Sequence, residues 1–261
     1  MPPILAYNES SLPAPSLGER LQLAAEQHLA LEIANHGNLD LAPYLKRNIP
    51  IAAVQAYAMH DVHPLHTNAR HRQHDVHPLH TNARHRQQAL HHVYQTLEVA
   101  AQLQAPRIVT VCGFGTAVVD SPFEHCLDFF SRCAAQAKTL GIKIMIEPLS
   151  PRRCTAMTEP YRIGQLVETL AEPEVFTTLL DTGHLLDSGY DLEAFLSNWP
   201  FPTEELQLKG PNSSPPNFSL GQWLRQLPFQ PAVLCVEHRQ PITLSGFNQL
   251  ISAIRLVFSP Q

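Results

Sequence analysis

The sequence predicts an α/β protein of one domain, a (β/α)8 barrel spanning residues 1–261. Three observations carry the prediction. Short apolar runs alternate eight times with helix-period segments; strict alternation specifies a parallel sheet, and eight strands close a barrel. The length of 261 residues is close to the roughly 250 typical of one such barrel. Three of the runs end on a carboxylate, Glu147, Asp181 and Glu237, at the rim where α/β folds place their chemistry. An open doubly wound sheet is the competing architecture, but no Gly-rich dinucleotide fingerprint follows the first run.

Each element follows in order. A strand at 4–7 precedes a helix at 17–28; a strand at 30–34 precedes a short helix at 41–47; a third strand opens at 51–57 and its helix covers 82–103. The fourth unit pairs strand 107–112 with helix 122–140, where Pro122 suits a first helical position after the cap Ser121 and Gly141 ends the helix. Ile142-Lys-Ile-Met-Ile-Glu147 is the fifth strand, followed by helix 161–170. Val175-Phe-Thr-Thr-Leu-Leu-Asp181 is the sixth, followed by helix 192–199. Strand 204–209 leads to helix 220–226, and Ala232-Val-Leu-Cys-Val-Glu237 to helix 245–258. Continuous apolar runs, rather than alternating ones, mark strands buried on both faces. With 23 prolines and 11 glycines, the chain favours short, stiff connections.

A tandem duplication interrupts the third unit. The fourteen residues His60-Asp-Val-His-Pro-Leu-His-Thr-Asn-Ala-Arg-His-Arg-Gln73 recur unchanged at 74–87. Two copies do not make a solenoid, which needs at least three units. Pro78 forbids one helix through both copies, so 65–80 is expected as an excursion in the third βα loop, helix-like over 68–73. Eight of the fifteen histidines fall in the repeat. Its His-x-x-His-x-x-His spacing invites a metal cluster, but a solvated loop without a fixed surrounding shell is the better reading. His60, placed just after a strand, is the exception and a candidate for substrate contact.

Composition excludes several classes. The net charge of −5 and scattered Lys and Arg give no nucleic-acid footprint. No run is long enough to span a membrane, and the N-terminus lacks the basic start and apolar core of a signal peptide. Five cysteines without a C-x-x-C pair suit reduced thiols and a cytoplasmic location. Cys112 ends the fourth strand as a packing residue, since no base adjoins it.

Three carboxylates meeting at one rim repel unless protonated or neutralised by a cation, so the pattern asks for a metal. Asp181-Thr-Gly-His184 sends His184 toward the same cavity one turn after Asp181. On the seventh strand, Gln207 and Lys209 share a face with Glu205. Glu32, a charge inside the second strand, is either a rim ligand for substrate hydroxyls or a salt-bridge partner. Arg152, Arg153 and Arg239 follow strands five and eight and could catch a phosphate or carboxylate.

Glu147-Pro148, Asp181-Thr-Gly-His184, Gln207-Leu-Lys209 and Val236-Glu237 resemble the xylose isomerase-like TIM barrels. Within these the pattern is similar to the sugar phosphate isomerase/epimerase group, which includes hydroxypyruvate isomerases and ketose 3-epimerases. The resemblance runs through essentially the whole chain in strand order. It implies a divalent metal held by Glu, Asp, His and Glu from strands five to eight. Carried over, Glu147, Asp181 and Glu237 match, with Gln207 in place of the histidine. An amide oxygen suits Mg²⁺ or Mn²⁺ better than Zn²⁺. Gln207 therefore either completes an oxygen-rich site or marks one that has lost its metal, and Gly210 stands where the family commonly carries aspartate.

The implied reaction is proton transfer next to a carbonyl of a small sugar, sugar phosphate or hydroxy-keto acid. Glu147 and Glu237 would remove and return the proton, with His184 bonding a substrate oxygen. Lys209, Glu32, Arg239 and His60 complete the candidate substrate contacts. Competing readings are a catalytically degenerate barrel that binds a metabolite or protein, a dehydratase, and an endonuclease of the same scaffold. The resemblance also allows a homodimer.

Overall fold

The computed structural model describes residues 2–57, 77–115, 119–216, 224 and 227–258. Eight strands, β1 (Ile4–Asn8), β2 (Ala30–Ala34), β3 (Ile51–Gln55), β4 (Arg107–Val111), β5 (Lys143–Glu147), β6 (Phe176–Asp181), β7 (Thr203–Leu208) and β8 (Val233–Val236), form a closed barrel in sequence order. Every pair is parallel, and β8 closes on β1. All eight expected strands are present, with ends displaced by no more than two residues. The helices are α1 (Leu17–Glu26), α2 (Ala42–Arg47), α3 (Ala83–Gln102), α4 (Pro122–Leu140), α5 (Pro160–Leu170), α6 (Thr182–Asp187), α7 (Leu192–Ser197) and α8 (Leu244–Phe258). Among the described residues no helix is long and apolar enough to cross a membrane.

Local chemistry accounts for the helix ends. Ser16 and Glu19 close a reciprocal capping box on α1, and Asn82 caps α3 through Arg84 N. Gly141 ends α4 in the left-handed region at φ 67°. Ser121 corrects an expectation: at φ 54° its side chain caps nothing, and Pro122 alone pre-sets the first turn. The short α6 was not anticipated; it starts directly from the Asp181 cap at the end of β6. Expected helix 220–226 lies outside the described residues apart from Leu224, and 58–76 likewise takes most of the repeat with it.

The main core lies between barrel and helices, while two small clusters, Ala6/Ala30/Ala52/Val233/Cys235 and Ala53/Val109/Met145/Leu179, fill the barrel interior. Period-two alternation then sets what stands above that filling. From Met145 it leads to Glu147, from Leu179 to Asp181, and from Cys235 to Glu237. On β7, Gln207 is in register with Cys235 and Leu208 with Val236. Lys209, not Gln207, is therefore the β7 residue level with Glu237.

Candidate active site

Each residue of Asp181-Thr-Gly-His184 has a distinct task. Asp181 ends β6 and caps α6, its Oδ1 accepting from Gly183 N at 2.7 Å and His184 N at 3.2 Å. That fixes the carboxylate and leaves Oδ2 facing the barrel mouth. Thr182 Oγ1 donates to Lys209 O at 2.7 Å and accepts from Lys209 N at 2.8 Å, tying the end of β7 to the start of α6. A Cβ on Gly183 would stand 2.9 Å from Lys209 Cγ and 2.9 Å from Gly210 O, so only glycine leaves room for the lysine stem. His184 then enters the cavity.

The tautomer of His184 follows from its partners. Ser150 N donates to Nδ1 at 3.2 Å, which places the proton of the neutral ring on Nε2. Nε2 lies 3.6 Å from Glu147 Oε1 and 4.0 Å from Asp181 Oδ2. Burial first, then the Lys209 charge, holds the imidazole well below its ordinary pKa. The ring is thus a neutral hydrogen-bond donor aimed at the carboxylates. Glu147 is buried, and burial, followed by repulsion from Asp181, raises its pKa well above the usual carboxylate range.

Lys209 supplies the site's cation. Its Nζ lies 2.5 Å from Asp181 Oδ2 and 3.4 Å from Glu237 Oε2, and the residue is 6% exposed. Burial alone would lower its pKa, but the charges of Asp181, Glu237 and Glu147 outweigh that and push it up. Glu237 is steadied by its neighbour: His238 N donates to Ser11 Oγ, and Tyr7 hydroxyl meets His238 Nε2 at 2.7 Å.

Gln207 and Glu32 stand one layer deeper. Gln207 Nε2 donates to Glu32 Oε1 and Oε2 at 3.0 and 3.1 Å, and Gln55 and Asn8 also donate to Oε1. Glu32 is thus a fully buried hub of amide donors from β1, β3 and β7, and it does not line the pocket. Among the described residues it makes no salt bridge, which removes that alternative. Burial, then the Glu237 charge, pushes its pKa up to about 7.

Because the folded value lies above the 4.5 of the free side chain, the stability Glu32 contributes is intact below about pH 4.5 and is lost as pH rises through about 7. Glu32→Gln cannot ionise. Its stability relative to the native chain is expected to increase between about pH 5 and about pH 8 in urea unfolding; a constant difference would remove ionisation from the account.

The remaining candidates separate by position. The pocket above the carboxylates is lined by Tyr57, Phe114, Glu147, Leu149, Arg153, His184, Lys209, Ser213, Glu237 and Arg239. Arg239 donates to the Tyr57 hydroxyl at 2.8 Å. Arg152 is exposed and faces Asn212 and Asp187 instead. His60 lies outside the described residues. Cys112 is buried in the core, as its sequence context implied. Sequence reasoning missed Ser150, which orients His184, and the Tyr7–His238–Ser11 anchor. Nothing in the local sequence of either marks them, because each works through a partner distant along the chain.

The donor set fits a hard divalent cation. Ligand atoms of Glu147, Asp181 and His184 lie within 4.8 Å of one another. Asp181 Oδ2 is buried without a well-directed hydrogen bond despite the nearby ammonium, and Gln207 Oε1 is buried without a partner. Unsatisfied hard oxygens carrying excess negative charge suit Mg²⁺ or Mn²⁺. With its proton on Nε2, the neutral His184 ring presents a hydrogen-bond donor to the cavity.

The comparisons follow this geometry. Among curated proteins none matches the chain by sequence. In fold it is similar to 3-keto-D-glucoside 4-epimerase, YcjR, from E. coli, with TM-score 0.73, 13% identity, and 98% of each chain covered. It is also similar to an AP endonuclease, family 2, from Brucella melitensis (TM-score 0.72, 18% identity, covering 96% of this chain and 98% of that one). A third neighbour is the IolI protein with a binding zinc atom (TM-score 0.67, 15% identity, 97% and 96% covered). Residues 30–213, from β2 through the turn after β7, match the family described as xylose isomerase-like TIM barrel. With that stretch accounting for most of the closed barrel and for Glu147, Asp181 and His184, the chain belongs to the xylose isomerase-like TIM barrel family.

Proposed function

We propose that this protein is an isomerase or epimerase of a small, carbohydrate-like molecule, acting by proton transfer next to a carbonyl through an ene-diolate-like intermediate. The observation that carries the reading is the pairing of Glu147 and Glu237 in one pocket, with His184 Nε2 3.6 Å from Glu147 Oε1. Burial and then the Asp181 charge raise the pKa of Glu147, which favours its protonated form relative to an ordinary carboxylate. Glu237, half-buried, serves the other face of the reacting carbon. Return of the proton to the same carbon gives an epimer, and return to its neighbour an isomer. His184 donates to the substrate oxygen on which negative charge develops. Glu147, Asp181 and Glu237 would hold a divalent ion, Mg²⁺ or Mn²⁺ in preference to Zn²⁺, which when bound would polarise the carbonyl; Gln207, expected as the fourth ligand, stands one layer deeper against Glu32. Lys209 holds Asp181 and Glu237 in place and neutralises them. The keto-sugar epimerases among the fold neighbours support this substrate class.

Solvent deuterium should enter the carbon next to the carbonyl when a ketose or hydroxypyruvate is incubated with the protein and Mn²⁺, read by NMR. One observation favours a second reading, a metabolite-binding barrel without turnover: Lys209 already forms ion pairs with two of the carboxylates. Tight ligand binding with no deuterium uptake would select that reading.

A further inference from the structure

Besides Glu147, Glu237 and Lys209, the pocket is lined by two guanidinium groups, Arg153 from the turn after β5 and Arg239 from the turn after β8. Arg20, Arg107, Arg132 and Arg152 each face a carboxylate. Among the described residues neither Arg153 nor Arg239 has a carboxylate within 4 Å, and the Asp187 and Glu237 charges reach Arg153 only from farther off.

These two arginines are also held firmly. Arg153 is half-buried, its N–H donating to Ser150 O at 2.8 Å and its carbonyl accepting from Gly115 N at 2.7 Å. Arg239 donates its backbone N–H to Ser213 O at 2.9 Å and its side chain to Tyr57. Ser213 follows Asn212, and both adopt left-handed backbone, at φ 56° and 55°. Backbone strain of that kind concentrates at ligand clamps. Burial, and then the charge of Arg239, makes the Arg153 guanidinium costly to keep charged, a cost that an anion would relieve.

We propose that Arg153 and Arg239 form an anion subsite, so that the molecule turned over carries a phosphate or carboxylate beside its hydroxy-carbonyl group. A guanidinium pair binds either oxyanion through charge-assisted, two-pronged hydrogen bonds. This deepens the isomerase reading and rests on it only for what happens to the ligand after binding.

Calorimetric titration of the full chain with D-ribulose 5-phosphate, hydroxypyruvate and uncharged D-ribulose tests the subsite without requiring turnover. At least one anionic probe should bind about tenfold or more tightly than D-ribulose. Which anion shows the preference tells phosphate from carboxylate. Arg153→Gln and Arg239→Gln should each erase most of that preference, weakening the anionic probe about tenfold more than D-ribulose; Arg239 is exposed, so its variant keeps the test open if Arg153→Gln folds poorly. Equal affinity for charged and uncharged probes, including no binding of any, overturns the subsite. So do variants that weaken D-ribulose as much as the anions. Failure of the isomerase reading appears separately, as absence of deuterium uptake into a probe that does bind.

Discussion

Glu147→Gln is expected to slow deuterium uptake into a bound ketose by about 10²–10⁴-fold, the usual worth of a positioned acid–base group. The substitution is isosteric and sits at the end of a strand whose other residues, apart from the half-buried Lys143, are buried in the barrel wall. It also removes a carboxylate that Asp181 repels, so the variant should unfold no more easily than the native chain. His184 keeps its orientation, because Ser150 rather than Glu147 fixes it. Loss of exchange with ligand binding and stability preserved is therefore the expected result. Exchange at the native rate would sink the proposed role, and Glu237→Gln would then be the variant to examine.

Lys209→Met is expected to tighten Mn²⁺ binding by about tenfold or more. The ammonium lies within ion-pair distance of Asp181 and Glu237, so a divalent ion entering between those carboxylates displaces it. At 4 Å, two unit charges interact by about 4 kcal/mol at an effective dielectric constant of 20, which makes a tenfold change the conservative expectation. Without metal the variant leaves buried carboxylates uncompensated, at a cost of about 3–5 kcal/mol when one partner of a buried pair is removed. Mn²⁺ should restore that stability, so the melting temperature should rise further on adding Mn²⁺ to Lys209→Met than to the native chain. Equal affinity in both proteins would place the lysine and the metal in different sites.

The barrel was legible because its strands are buried on both faces and show as apolar runs closed by a charge. Periods and caps found the longer helices; α6 escaped because its start is set by the Asp181 side chain rather than by a pattern. The carboxylates were legible because each is the one acidic residue at the end of an apolar run. The division of labour on β7 was not. Gln207 and Lys209 share a face, and only the register Gln207 to Cys235 shows that the amide belongs to the Glu32 layer and the ammonium to the Glu237 layer. Glu32 was ambiguous for a similar reason, since its amide donors Asn8, Gln55 and Gln207 come from three separate strands.

The two hydrogen bonds between Thr182 and the main chain of Lys209 have a kinetic consequence. They pin the backbone that carries the ammonium, so exchanging that charge for another asks only a four-carbon stem to swing. Such side-chain hops take picoseconds to nanoseconds at exposed positions and lengthen under packing, whereas loop opening occupies nanoseconds to microseconds and lid movements longer. A divalent ion entering the mouth of this barrel would then be paced by its own arrival and dehydration, not by reorganisation of the frame that receives it.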